Sequence, residues 1–188
     1  MSNNKQKNID AVIGLYNMIP NVVWTVINFA PVYFLYALPG NLHYLWITIA
    51  ISLVGYFLPV SFYNRLQVSS SIRTYNKLGI RIVRKYAQDG DLITRLIRKK
   101  HPGYKPHILS NFKKHIGKTY FYEKFHFVCL LFFLLTTVLA FMQGKIILGI
   151  LIAIANILYN IYPILLQQYN RLRIMLLLKH THRLTPEE

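Results

Sequence analysis

Apolar and polar positions follow one another in long blocks along this chain. Apolar runs cover roughly Ile9 to Leu38, His43 to Phe62, Lys124 to Met142 and Ile146 to Leu166. Each is close to or above the ~20 residues that a helix needs to cross a bilayer. The pattern predicts an all-α integral membrane protein with about four transmembrane helices. A basic helical cytoplasmic segment is expected between the second and the third. The first run, thirty residues with Pro20 and Pro31 inside it, exceeds one crossing. It reads as a short interfacial helix to about Ile19, then a span from Asn21 to Leu38 that starts after Pro20 and kinks at Pro31. It is too long for a signal-peptide core and lacks a small-x-small cleavage site, so it reads as a retained anchor. Pro39-Gly40-Asn41 and Gln143-Gly144-Lys145 read as tight turns.

Between the second and third runs the character changes. Fourteen Lys and Arg fall between Tyr63 and Lys118, against two Asp. The chain divides accordingly into an N-terminal membrane hairpin (1–62), a basic amphipathic segment (63–123) and a C-terminal membrane hairpin with a basic tail (124–188). Within the middle segment Leu92, Ile93, Leu96 and Ile97 share one helical face, and Arg95, Arg98, Lys99 and Lys100 surround it. Such a helix suits an anionic phospholipid surface. Asp89-Gly90-Asp91 reads as the turn and N-cap before it; a calcium loop lacks its remaining ligands. Residues 101–106 read as a loop, and Ser110 as a cap for the helix entering the third run.

Charge sets the orientation. The chain has 188 residues, is 54% hydrophobic and carries a formal charge of +16, nearly all of it outside the apolar runs. The turn near Gly40 has no Lys or Arg and the turn near Gly144 has one, whereas the middle segment and both tails are basic. The positive-inside rule puts both termini and the middle segment in the cytoplasm of a cell (inner) membrane protein. Charge that flanks spans points to phospholipid or a phosphorylated substrate, with no nucleic acid partner. The single cysteine, Cys129, allows no intrachain disulfide and reads as a packing residue. No metal site is expected, since His180-Thr-His182 is too sparse. There is no phosphate-binding glycine loop and no Gly-x-Ser-x-Gly elbow.

Polar residues interrupt the last run at regular intervals. Asn156, Asn160, Pro163, Gln167 and Asn170 lie at steps of four, three, four and three. Read as a helix, they form one polar stripe that should face protein or water and not lipid. In the third run Thr119, Glu123 and His126 share a face, and a carboxylate and a histidine at that spacing can act as an oriented general base. With the hairpin turn centred near Gly144, His126 falls level with Tyr162 and Glu123 with Leu165. The two clusters then meet at one depth, in a polar groove with Arg171 and Arg173 at its mouth. Structural glue between helices is the plainer reading of the same Asn residues.

The series Asn160-x-x-Pro163-x-x-x-Gln167-x-Tyr169-Asn170-Arg171-x-Arg173 resembles the C-terminal signature of the glycosyl-4,4'-diaponeurosporenoate acyltransferase family, whose known member completes staphyloxanthin synthesis. Glu123 and His126 resemble that family's Glu-x-x-His, and a weaker likeness runs from Tyr75 to Gly90. The likeness covers roughly residues 65–180. Departures are Leu172 for a proline, Gln168 for a basic residue, Val83-Arg84 for Trp-Lys and Phe121 for an arginine.

The resemblance implies a membrane acyltransferase that moves a fatty acyl group from acyl-CoA, as co-substrate and not bound cofactor, to a hydroxyl of a glycosylated lipid or carotenoid. In that reading His126 takes the hydroxyl proton and Glu123 orients it. Asn160 and Gln167, with Asn170, fix the acceptor or the developing oxyanion. Arg171, Arg173 and Arg84 hold donor phosphates. The competing reading is a non-catalytic membrane scaffold that binds anionic lipid or a partner enzyme. Oligomeric state is not readable from the sequence.

Overall fold

The computed structural model describes residues 2–87, 91–100 and 112–184. All regular structure among them is helical. The helices are α1 (Ser2–Tyr36), α2 (Leu42–Ser52), α3 (Val60–Arg65), α4 (Ile72–Lys77), α5 (Ile80–Tyr86), α6 (Asp91–Lys100), α7 (Phe112–Met142), α8 (Ile146–Asn156) and α9 (Tyr162–Leu184). A 3₁₀ stretch, Leu53–Phe57, extends α2, and a wide π turn, Ile157–Ile161, joins α8 to α9 without a break.

Three helices are long and apolar enough to cross a membrane: Gly14–Tyr36, Phe112–Met142 and Ile146–Lys179. This is consistent with a membrane protein. The fourth expected span is shorter here: Leu42–Phe57 is apolar but tightens into 3₁₀ geometry and stops before Pro59. Proline lacks an N–H and disfavours helical geometry in the residue before it, and Leu58 is indeed extended (ψ 138°).

One expectation about the first helix changes. It runs unbroken through Pro20 and Pro31, with no separate interfacial piece. Each proline removes only one N–H from the ladder, and an apolar helix with neighbours tolerates that loss. The basic helix at Asp91–Lys100 is present; Ile97 is buried, while Arg95, Arg98 and Lys99 are exposed and Leu96 is 42% exposed. The turn and cap at Asp89-Gly90, the 101–106 loop and Ser110 lie outside the described residues, as do the side chains of Leu92, Ile93, Lys100, His180 and His182.

The hairpin of α7 with α8 and α9 forms the spine, with α1 packed on α8, α2 on α7, and the short α4 and α5 on α9. Its tight turn needs Gly144 at φ +69°. Close approach of α7 and α8 needs Gly149, where a Cβ would come within 2.6 Å of the Phe141 ring. Two apolar cores result. One, at the end bearing the turns at Gly40 and Gly144, is built on Leu35, Phe133, Ala140 and Ile152. It encloses the Tyr36 hydroxyl, which bonds Thr48 and Thr136 at 2.9 Å each. The other, at the opposite end, packs Tyr75 and Ile80 against Leu166, Tyr169 and Leu172. The polar residues discussed next lie at the second core and between it and the first.

Candidate functional site

Glu123 is 1% exposed on α7. An ionised carboxylate there needs a charged partner and further donors. Arg171 of α9, also 1% exposed, supplies Nη1 to Glu123 Oε2. Gln168, one turn earlier on α9, donates Nε2 to Glu123 Oε1 at 2.9 Å. The Gln168 carbonyl oxygen in turn accepts from Tyr75 OH (3.1 Å) and from the Val68 backbone N–H (3.2 Å). One network thus ties α7, α9 and the 66–75 segment together.

Tyr120 covers the pair, its ring 4.1 Å from the Arg171 guanidinium carbon and its hydroxyl bonded to Asn64. Arg171 Nε and Nη2 are buried and bond no other group. The field of the pair reaches its tyrosine neighbours. Burial first, then the Glu123 charge, pushes the Tyr63 phenol up to about 12, so it keeps the proton it donates to the Gly55 carbonyl at 2.6 Å. Burial also raises Tyr75, against the lowering pull of its Ser69 backbone bond and of Arg171.

His126 lies one turn along α7 and belongs to a second cluster. Its ring is 5.8 Å from the Tyr159 ring, and the Asn160 side chain and the Tyr159 backbone lie against it. Asn156 donates Nδ2 to the Leu130 carbonyl (3.2 Å), so its oxygen receives Asn160 Nδ2 (2.8 Å). That chain turns Asn160 Oδ1 towards the imidazole. Neither Asn160 Oδ1 nor His126 Nδ1, both buried, completes a hydrogen bond of good geometry. A proton on Nδ1 would leave Nε2 as the basic nitrogen.

The arrangement departs from the sequence reading in four respects. Glu123 bonds Arg171 and Gln168 rather than His126. Arg171 is not at a groove mouth but inside, paired and under Tyr120. Asn160 commits one N–H to Asn156, which leaves its amide a single N–H for an acceptor or oxyanion. Gln167 and Asn170 are half-buried, whereas their neighbours Gln168 and Arg171 face the core.

The wide π turn is the reason for the last difference. It uses about one residue more than an α turn, so the stripe that starts at Asn156 and Asn160 continues one position later. Thr119 is buried but bonds its own Ile116 carbonyl.

Arg84 and Arg173 lie away from the ion pair. Arg84 Nη1 reaches Tyr169 OH at 3.4 Å, and the exposed Arg173 has its guanidinium carbon 5.6 Å from the Tyr169 ring centre. Two cations from α5 and α9 therefore converge on one ring. Among the described residues no three His, Cys, Asp or Glu side chains could hold a metal ion.

A helical chain fit to cross a membrane, with a buried acid–arginine pair and a histidine on adjoining faces of one hairpin, belongs to the class of membrane proteins that carry a polar site between helices. Residues 59–180 match the family of glycosyl-4,4'-diaponeurosporenoate acyltransferase, and the chain belongs to that family. Membership implies an acyltransferase role in carotenoid biosynthesis. No curated protein and no solved structure matches the chain.

Proposed function

We propose that the protein transfers a fatty acyl group from acyl-CoA to a sugar hydroxyl of a glycosylated lipid or carotenoid. The observation that carries this reading is the juxtaposition of His126 with Asn160 between the two helices of the hairpin, inside the region matched by the family. The acceptor hydroxyl oxygen attacks the thioester carbonyl as His126 Nε2 takes its proton. The carbon–sulfur bond then breaks, and the coenzyme thiolate leaves with that proton. Atoms balance in this direct transfer without an acyl-enzyme.

Asn160 Oδ1, in place of Glu123, orients the imidazole through Nδ1–H. Gln167 and Asn170, one step off the buried face, serve the acceptor. Arg84 and Arg173 hold the donor phosphates, and their convergence on Tyr169 supports that assignment. Glu123 and Arg171 position α9 against α7. The positive-inside rule places this end of the bundle and both termini in the cytoplasm, where acyl-CoA is found, with α2 and its 3₁₀ extension completing a fourth crossing.

The test is acyl transfer from acyl-CoA to a glycolipid extract in purified membranes. His126→Ala should still insert, and its turnover should fall about 100-fold or more. Arg173→Ala should raise KM for acyl-CoA with kcat nearly unchanged, because phosphate contacts are made in ground and transition states alike. Full activity in His126→Ala would overturn the mechanism. Absence of transfer by the wild type to every acceptor would favour the scaffold reading.

A further inference from the structure

An apolar groove of about 520 Å³ opens between α1, α2 and α7, walled by Phe29, Tyr36, Ile49, Cys129 and Phe132 among others. Its volume is that of a site for one small ligand. The polar groups at its wall are already satisfied. Ser52 donates to the Thr48 carbonyl at 2.6 Å, and the Tyr36 hydroxyl bonds Thr48 and Thr136. Nothing in the groove calls for a head group, so its chemistry is that of a hydrocarbon chain.

The groove adjoins the His126 site across one layer of packed rings. Phe29 on its wall meets Tyr159 edge to face at 5.5 Å, and Tyr159 meets His126 at 5.8 Å. Along α7, Cys129 and Phe132 lie three and six residues beyond His126, about 4.5 and 9 Å at the helical rise. A chain whose carbonyl end is level with His126 would therefore run its tail into the groove, away from the basic end of the protein that would hold the coenzyme phosphates.

We infer that this groove binds the fatty acyl chain of the donor thioester and sets the chain length accepted. The inference rests on the acyl-transfer reading above for the identity of the donor. Capacity is limited: methylenes that find room tighten binding by about fourfold each, and those beyond the groove add nothing.

The single cysteine of the chain, Cys129, lies on the groove wall and serves as reporter. Purified protein in detergent is treated with an alkyl methanethiosulfonate, and the rate of Cys129 modification is followed by mass spectrometry. Decanoyl- and longer acyl-CoA, below their critical micelle concentrations, should slow modification at least tenfold. Butyryl-CoA, and a phospholipid of the same long chain, should not. Equal slowing by the phospholipid would make the groove a bulk-lipid contact and overturn the inference, as would no slowing by any acyl-CoA. Protection should persist in inactive His126→Ala, which separates the two readings. Transfer without protection removes the chain site alone, and protection without transfer removes the acyltransferase mechanism alone. As a second measurement, Ile49→Trp, which fills the groove, should shift the preferred donor to shorter chains. An unchanged preference in a folded variant would also count against it.

Discussion

Glu123 and Arg171 bury opposite charges at 1% exposure each, with Gln168 supplying the second donor to the carboxylate. A buried pair stabilises little against an apolar replacement of the same shape, but losing one partner strands the other. Arg171→Met should therefore lower unfolding free energy by about 3–5 kcal/mol, read from thermal unfolding in detergent. Glu123→Gln combined with Arg171→Met should recover most of the loss. If the single change proves harmless, the two groups are not ionised together and the network is misassigned.

Tyr63 offers a second check at the same scale. Its folded pKa, raised to about 12, lies above the ordinary tyrosine value near 10, so its contribution is present in full below pH ~10 and is lost as pH rises through ~12. Tyr63→Phe should flatten the alkaline loss of stability between pH 10 and 12. An identical alkaline slope in the variant would place the titration elsewhere.

At the scale of the element, the π turn at Ile157–Ile161 decides which side chains reach α7. An uninterrupted helix would carry Gln167 and Asn170 beneath Asn160; the wide turn delivers Gln168 and Arg171. Deleting Leu158, which is 46% exposed, should relax the turn to α geometry and leave the Glu123–Arg171 pair intact. Inserting one alanine after Leu158 should instead rotate α9 by about 100°, one α-helical step, and carry Arg171 off Glu123. Stability should be nearly kept by the deletion and fall by several kcal/mol with the insertion, as for a broken buried pair. On the insertion background, Glu123→Gln should then have little further effect. If insertion and deletion behave alike, the wide turn does not set the register.

This element also marks the limit of what the sequence discloses. The apolar run, the hairpin turn at Gly144 and the presence of a polar stripe are all written in periodicity. A single extra residue in a helix is not: nothing in Ile157-Leu-Tyr-Asn-Ile161 distinguishes a π turn from an α turn. An error of one residue in phase exchanges Gln168 for Gln167. Asn156 and Asn160 lie before or within the wide turn, so the stripe reading carries no phase error there; Glu123 and His126, read from their own three-residue spacing, lie on the other helix of the hairpin. The partners of Tyr75 and Tyr120 required the tertiary fold, since both contacts span segments far apart in sequence.

On the scale of the whole molecule, block hydropathy finds the long helices, because length and apolarity are local properties. It fails where packing overrides local signals. Pro20 reads as a break but sits inside one helix, and the run at His43 to Phe62 reads as one span but tightens and stops at Leu58–Pro59. Orientation follows from neither hydropathy nor packing; it rests on charge asymmetry and can be measured. In a Cys129→Ser background, single cysteines at Pro39, Lys145 and Lys99 all occupy exposed positions. An impermeant maleimide added to intact cells should label Pro39→Cys and Lys145→Cys and leave Lys99→Cys unlabelled until the cells are opened. The pairing matters. Pro39 and Lys145 flank turns linked by reciprocal amide bonds between Asn41 and Gln143, at 3.0 and 2.7 Å, so the two must share a side of the membrane. Labelling of one without the other would contradict the packing of the bundle. Labelling of Lys99→Cys from outside would contradict only the orientation. It would also leave Arg84 and Arg173 facing away from the cytoplasmic pool of acyl-CoA, and the proposed donor with them.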